Sequence, residues 1–208
     1  EKRLQYPVKI SQPNPKMAQF IMSQYGGPDG EMGASMRYLS QRYAMPYDVA
    51  KASLTDIGTE ELAHLEIVAA IVHQLTRNLT PQEIEESGFA NYYVDHTVGI
   101  WPMAAGGIPF NSCEFQSKGD PITDLFEDLA AEQKARSTYD NILRVVKDPE
   151  VCDPIRYLRA REVVHFQRFG ETLRHVQDQL NSKNFYAFNP AFDRRQSTNN
   201  GKTQECGK

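Results

Sequence analysis

Apolar residues recur at helical spacing over several long stretches of this chain, and the segments between them lose that period. The chain opens without it. Prolines at 7, 13 and 15 predict an extended arm, residues 1–15, up to a helix that begins near Lys16. That helix is expected to stop at Gly26-Gly27, and a second stretch to run from Pro28-Asp29 to about Tyr43. A long helix then fits Tyr47 to about Arg77. Pro81 opens a short helical piece to Glu86, after which NYYVDHTVGIWPMAAGGIPFNSCEFQSKGD is rich in glycine, proline and aromatics. Residues 78–121 therefore read as a long irregular crossover, a length usually reserved for a functional segment or an interaction surface. Helical pattern returns from Ile122 to about Lys147, stops at Asp148-Pro149 and resumes from Pro154 to about Leu180. Residues 182–208 read as a polar tail, with QSTNNGKTQECGK expected to be disordered. The predicted architecture is all-α: a four-helix bundle over residues 16–181 with one long central crossover.

An α-helix turns about 100° per residue, which fixes the face each side chain occupies. On the helix from Tyr47, residues Leu54, Ile57, Leu65, Val68, Val72 and Leu75 lie within about 40° of Glu61, and His64 stands about 60° round from it. On the helix from Pro154, residues Ile155, Leu158, Phe169, Leu173, Val176 and Leu180 bracket Glu162 in the same way, with His165 again about 60° away. Glu66, His73, Glu171 and His175, on the same helices, fall about 120–180° from the apolar centre and are expected in solvent. Glu132 shares a face with Leu125 and Tyr139. Glu31 shares one with Tyr38 and sits near a helix start, where the dipole favours a negative charge.

Composition allows this core without pointing to a partner. The 208 residues are 40% hydrophobic and 24% charged, enough for one well-packed domain. A net charge of -4 gives no electrostatic reason to bind nucleic acid or an anionic membrane. No run approaches the roughly 20 apolar residues that span a bilayer, and the start, EKRLQYPVKI, lacks the apolar stretch of a secretory signal, so cytoplasmic synthesis is expected. Cys113, Cys152 and Cys206 are widely spaced and odd in number, which fits a reduced compartment better than a disulfide framework. Cys113 has no histidine beside it in sequence, so a nucleophilic role is not expected, and His96 reads as structural or surface.

Four carboxylates and two imidazoles in one oily interior would be ruinous alone, since each buried charge costs several kcal/mol. A pair of divalent cations resolves this, supplying about four positive charges against four negative ones. Ferritin-like di-iron and di-manganese proteins have this arrangement: one Glu from each of two helices and Glu-x-x-His from each of the other two. Thirty residues separate Glu31 from Glu61 and thirty separate Glu132 from Glu162, as two related hairpins would require. Structural histidines, and glutamates paired with Arg37, Arg136 or Arg161, are the competing reading.

Beyond these motifs, GGPDGEMGASMRYLSQR, IGTEELAHLE, GIWPMAAGGIPF, QSKGDPITDLFEDLAAEQKARSTYDNIL and REVVHFQRFGE resemble the manganese catalase family, in particular its short spore-coat branch from endospore-forming bacteria. The likeness covers about Pro13 to Phe192. It implies a ferritin-like bundle in which Glu31, Glu61, His64, Glu132 and His165 ligate two manganese ions, Glu61 bridging them. It further implies that Glu162 handles protons beside the metals, and that Tyr38 orients the ligand carboxylates. The implied activity is disproportionation of hydrogen peroxide, in a homo-oligomer that is deposited in the spore coat among other coat proteins. Where some relatives have arginine before the third-helix Glu this chain has Ala131, and its short tail differs from the longer extension of most family enzymes. Carboxylate and imidazole also suit two iron ions. A di-iron oxidase or peroxidase is therefore the alternative, and a mainly structural coat component with a metal-clamped core is another.

Overall fold

The computed structural model describes residues 3–94 and 99–183. His96, Cys206 and the rest of the tail lie outside the described residues. The helices are α1 (Pro15–Gly26), α2 (Glu31–Gln41), α3 (Asp48–Thr76), α4 (Pro81–Ser87), α5 (Pro121–Val145) and α6 (Pro149–Lys183). No strand forms among the described residues; the crossover carries only isolated bridges, Tyr93 to Ile100 and Met103 to Pro109. The chain is an all-α, ferritin-like bundle: α2 pairs with α3, α5 pairs with α6, and α3 lies along α6.

Each helix start has a local cause. Asn14 accepts the Met17 N–H at 3.0 Å ahead of Pro15, and Asp120 accepts the Thr123 N–H at 2.8 Å ahead of Pro121. Thr80 and Glu83 cap α4 reciprocally. The expected restart at Pro154 is corrected. Helix α6 begins at Pro149 because Asp148 accepts the Glu150 N–H at 2.9 Å while its carbonyl takes the Cys152 N–H at 2.8 Å. Pro154 then removes only the bond to the carbonyl of Glu150, and buried Val151, Cys152 and Ile155 hold that turn in the core. The break between α1 and α2 is a glycine requirement: a Cβ at Gly26 would lie 2.4 Å from the backbone of Pro102, so the crossover passes directly over the end of α1.

The apolar interior is two clusters. One joins Ile67, Ile71 and Leu75 of α3 to Ile142 of α5, Ile155 and Leu158 of α6, and Ile21 of α1. The other joins Leu54 and Ile57 of α3 to Leu125 of α5 and Phe169, Leu173 and Val176 of α6. All the residues between these levels that the apolar pattern placed inward, Glu31, Glu61, His64, Glu132, Glu162 and His165, are buried. Glu66, His73 and Glu171 are exposed as expected, but His175 is half-buried with its ring edge-on to Tyr47 at 6.2 Å, and Leu65 is half-buried at the edge of its stripe.

Helices α2 and α3 approach so closely that a Cβ on Gly58 would stand 2.8 Å from Leu39 Cγ, and Ser35 Oγ donates to the Gly58 carbonyl at 2.7 Å. This contact sets the spacing of the helices that carry Glu31 and Glu61. Gly58→Val is expected to cost about 1–3 kcal/mol through overpacking. Gly58→Ala should cost less, because its better helix propensity offsets about 1 kcal/mol and Leu39 can swing aside. Chemical denaturation of the two variants checks both the loss and its order.

Candidate metal centre

Six polar side chains meet halfway along the bundle, delivered by four helices. Glu31 begins α2, Glu132 lies mid-way along α5, and one turn each of α3 and α6 supplies Glu61 with His64 and Glu162 with His165. Glu61 is central: its Oε2 lies 2.7 Å from His64 Nδ1 and its Oε1 lies 2.8 Å from His165 Nδ1. Glu31 Oε2 is 3.7 Å from His64 Nδ1, and Glu132 Oε2 is 3.6 Å from His165 Nδ1. The imidazoles stack, centroids 5.4 Å apart and 21° from parallel. Glu162 belongs to the same cluster, since one donor atom each from Glu61, His64, Glu162 and His165 all lie within 4.8 Å of one another.

Two tyrosines brace the layer crosswise. Tyr38 of α2 donates to Glu132 Oε1 of α5 at 2.5 Å, and Tyr139 of α5 donates to Glu31 Oε1 of α2. Sequence reasoning found the first as a site residue and left Tyr139 as core. The missed signal is a spacing: each tyrosine follows its own helix's glutamate by seven residues, so each pair shares a face.

Glu60 was missed altogether. Its Oε2 accepts from His165 Nε2 at 3.0 Å, its Oε1 stands 3.6 Å from His64 Nε2, and Arg161 holds both oxygens, Nε at 2.9 Å and Nη2 at 3.1 Å. The bond from His165, then that from His64, keeps this carboxyl well below the usual range. The outer nitrogen of His165 is thus committed to a carboxylate, that of His64 stands beside the same carboxylate without a hydrogen bond, and the inner Nδ1 atoms face the glutamates. Nothing in helical periodicity marks Glu60, which lies about 100° from Glu61.

The competing reading of arginine-neutralised glutamates fails. Arg37 donates to the carbonyls of Phe115 and Glu114, Arg136 pairs with Asp140 at 2.6 Å, and Arg161 pairs with Glu60. Instead Glu61 Oε1, Glu132 Oε2, Glu162 Oε1 and His165 Nδ1 are buried without a hydrogen-bond partner. Buried polar atoms are rarely left so. Here they converge, and a set of carboxylate oxygens and imidazole nitrogens of this kind fits two divalent cations.

The manganese-containing catalase family model matches residues 1–197. This chain belongs to the manganese-containing catalase family. It is 47% identical over 186 residues to Protein CotJC of Bacillus subtilis strain 168, covering 89% of this chain and 98% of that protein. It is 33% identical over 178 residues to a probable manganese catalase of Clostridium acetobutylicum, covering 86% and 79% of the two chains. Among solved structures it is similar to wild-type KatB, a manganese catalase from Anabaena, with a TM-score of 0.75 and 26% identity across 100% of this chain and 86% of that one. At the position where some family members have arginine, Ala131 is buried and brings no charge.

The protein groups by themselves hold protons where cations would sit. Burial, then the charge of Glu61, raises Glu31 to about 7, against the bonds from His64 and Tyr139. Burial and repulsion from Glu132, Glu31 and Glu61 push Glu162 well up. Burial alone would lower His165, but Glu61, Glu132 and Glu60 drive it up to about 12, and Glu61 is correspondingly held down by the two imidazoles despite its own burial. Both kinds of raised group retain a proton in the folded chain that the unfolded chain has lost. For Glu31 stability therefore falls as pH climbs from its ordinary 4.5 to about 7; for His165 the contribution is complete below 6.5 and lost as pH rises toward about 12. Metal-stripped protein is accordingly expected to melt at progressively lower temperature from pH 5 to pH 9. Metal-loaded protein should gain over it in the same range, because metals and protons compete for these atoms. Paired thermal scans check this, and a stripped protein that becomes more stable with pH would contradict it.

Proposed function

We propose that this chain is a dimanganese catalase that converts two hydrogen peroxide molecules into two waters and dioxygen. Glu31, Glu61, His64, Glu132 and His165 would hold the ions, with Glu61 between them. The observation that carries this reading is Glu61, whose two carboxylate oxygens each stand within 2.8 Å of a different inward imidazole nitrogen. The bound pair would supply the two electrons exchanged between peroxides. The protein's share is protons. One peroxide takes up two protons and two electrons to become two waters, and the other releases two protons and two electrons as dioxygen.

Glu162 suits that exchange. Its Oε1 is buried and unpartnered, and burial with three neighbouring carboxylates keeps it protonated well above the ordinary range. Tyr38 keeps Glu132 in place through its 2.5 Å bond, which spares that carboxylate a free rotation when charge at the centre changes. No helix among the described residues is long and apolar enough to cross a membrane. The likeness of motifs to the short spore-coat branch, with coverage of 98% of CotJC, supports deposition in the spore coat as a homo-oligomer beside other coat proteins. The exposed Trp101 and Ile108 of the crossover suit such packing.

Metal content and oxygen release measured on one purified sample test the reading: two manganese ions per chain and dioxygen from peroxide are expected. A bound iron pair without oxygen release would favour a di-iron oxidase or peroxidase instead. Glu162→Gln is expected to keep the fold and the metals and to lower oxygen release by about 10²-fold or more, the scale of a lost proton-transfer group. Undiminished turnover in that variant would remove Glu162 from the mechanism.

A further inference from the structure

The extended arm is bound along its whole described length to the two helices that carry the histidines. Val8 and Ile10 are buried in the core. Gln74 of α3 donates to the Val8 carbonyl at 2.9 Å and accepts the Ile10 N–H at 2.7 Å, and Arg77 donates to the carbonyls of Ile10 and Ser11. On α6, Glu150 accepts both the N–H and the hydroxyl of Ser11 at 2.7 Å, and Asp153 accepts the Tyr6 hydroxyl at 2.8 Å. The Tyr6 ring stacks on Tyr157 at 4.5 Å, and Tyr157 in turn stands edge-on to His64. One residue nearer the start of the chain, Gln5 Nε2 donates to Glu60 Oε1 at 2.8 Å.

We propose that the N-terminal arm is a clasp on the metal centre: it fixes Glu60, and Glu60 fixes the outer nitrogen of His165 and places a negative charge beside that of His64, so that the Nδ1 atoms stay turned inward. The clasp rests on the metal-binding reading above and extends it to a part of the chain that supplies no ligand. An imidazole that coordinates through Nδ1 must carry its proton on Nε2, and a carboxylate accepting that proton sets both the tautomer and the ring angle. Here a single carboxylate faces two rings, so its position matters twice. Arg161 grips Glu60 from α6, and Gln5 reaches it from outside the four bundle helices. Docking of residues 3–11 and retention of metal are therefore one coupled event, and a partner that lifted the arm would loosen the metals.

The test is metal release from manganese-loaded full-length protein challenged with excess EDTA, followed by metal analysis of the desalted protein. Glu60→Gln is expected to release metal about 10- to 100-fold faster, the cost of losing an outer carboxylate partner. Gln5→Ala should release it about 2- to 10-fold faster, as loss of one exposed hydrogen bond of ordinary strength implies. Ser11→Ala, which keeps the backbone bond to Glu150, should match the parent. A second measurement needs no metal: exchange of the His165 Nε2 proton with solvent, read by nitrogen NMR on stripped protein, should quicken in Glu60→Gln and Gln5→Ala. Parent-like release and exchange in both variants would overturn the clasp. A parent that takes up no metal pair would sink the functional reading instead, and the proton exchange alone would then decide whether the arm orders the rings.

Discussion

Everything in this bundle is arranged around a charged layer that water cannot reach. Above and below it lie ordinary apolar clusters; between them four carboxylates and two imidazoles share a space with no arginine or lysine among them. Such a layer is stable only if its charges cancel locally. Two divalent cations cancel them. Without cations, protons must do so, and the directions of the ionisation shifts describe that substitution: imidazoles pushed toward the protonated form, Glu61 toward the ionised form between them, and the outer carboxyls toward the neutral form.

A single offset organises the site. Glu31 and Glu132, Tyr38 and Tyr139, Glu61 and Glu162, and His64 and His165 are each separated by 101 residues. The two hairpins thus present matching residues to each other, and matching residues make matching contacts, as the crossed tyrosine bonds do. The place where the match breaks is informative. Glu60 corresponds to Arg161 by the same offset, and the two face each other at 2.9 Å. Two glutamates there would repel across the helix interface. The exchange to arginine turns that contact into an ion pair, and leaves Glu60 to bond His165 and to face His64.

The sequence carried most of the fold because the apolar stripes on α3 and α6 are long, and their period leaves one inward face. It carried the inward placement of six polar side chains for the same reason, since a glutamate in the centre of a stripe has no solvated orientation. What it did not carry depends on neighbours rather than on period. Glu60 sits off the stripe and becomes part of the site only because α3 meets α6 and the arm crosses both. The start of α6 depended on Asp148, whose capping bonds outweigh the interruption at Pro154. His175 faced outward by angle alone, but Tyr47 at the head of α3 covers it.

Uptake of a metal pair would meet the same constraint of local charge balance. A site that exists only when metal is bound would need ligands free to move in the unloaded chain, as small zinc modules do. Here protein groups brace the layer directly. The hydroxyls of Tyr38 and Tyr139 pin Glu132 and Glu31 from opposite helices, the close approach at Gly58 fixes α2 against α3, and Glu60 holds the outer edge of the His165 ring. Two cations taken up by this layer would replace the protons its groups hold, exchanging one set of positive charges for another within a formed bundle. Helices braced in this way would keep their places during such an exchange, which would need freedom only in proton release and in the groups that cover the outer side of the histidines. Of those groups, the arm is tied on by mostly exposed hydrogen bonds but seats Val8 and Ile10 in the core, so its opening would uncover part of the first apolar cluster as well as the outer side of the histidines.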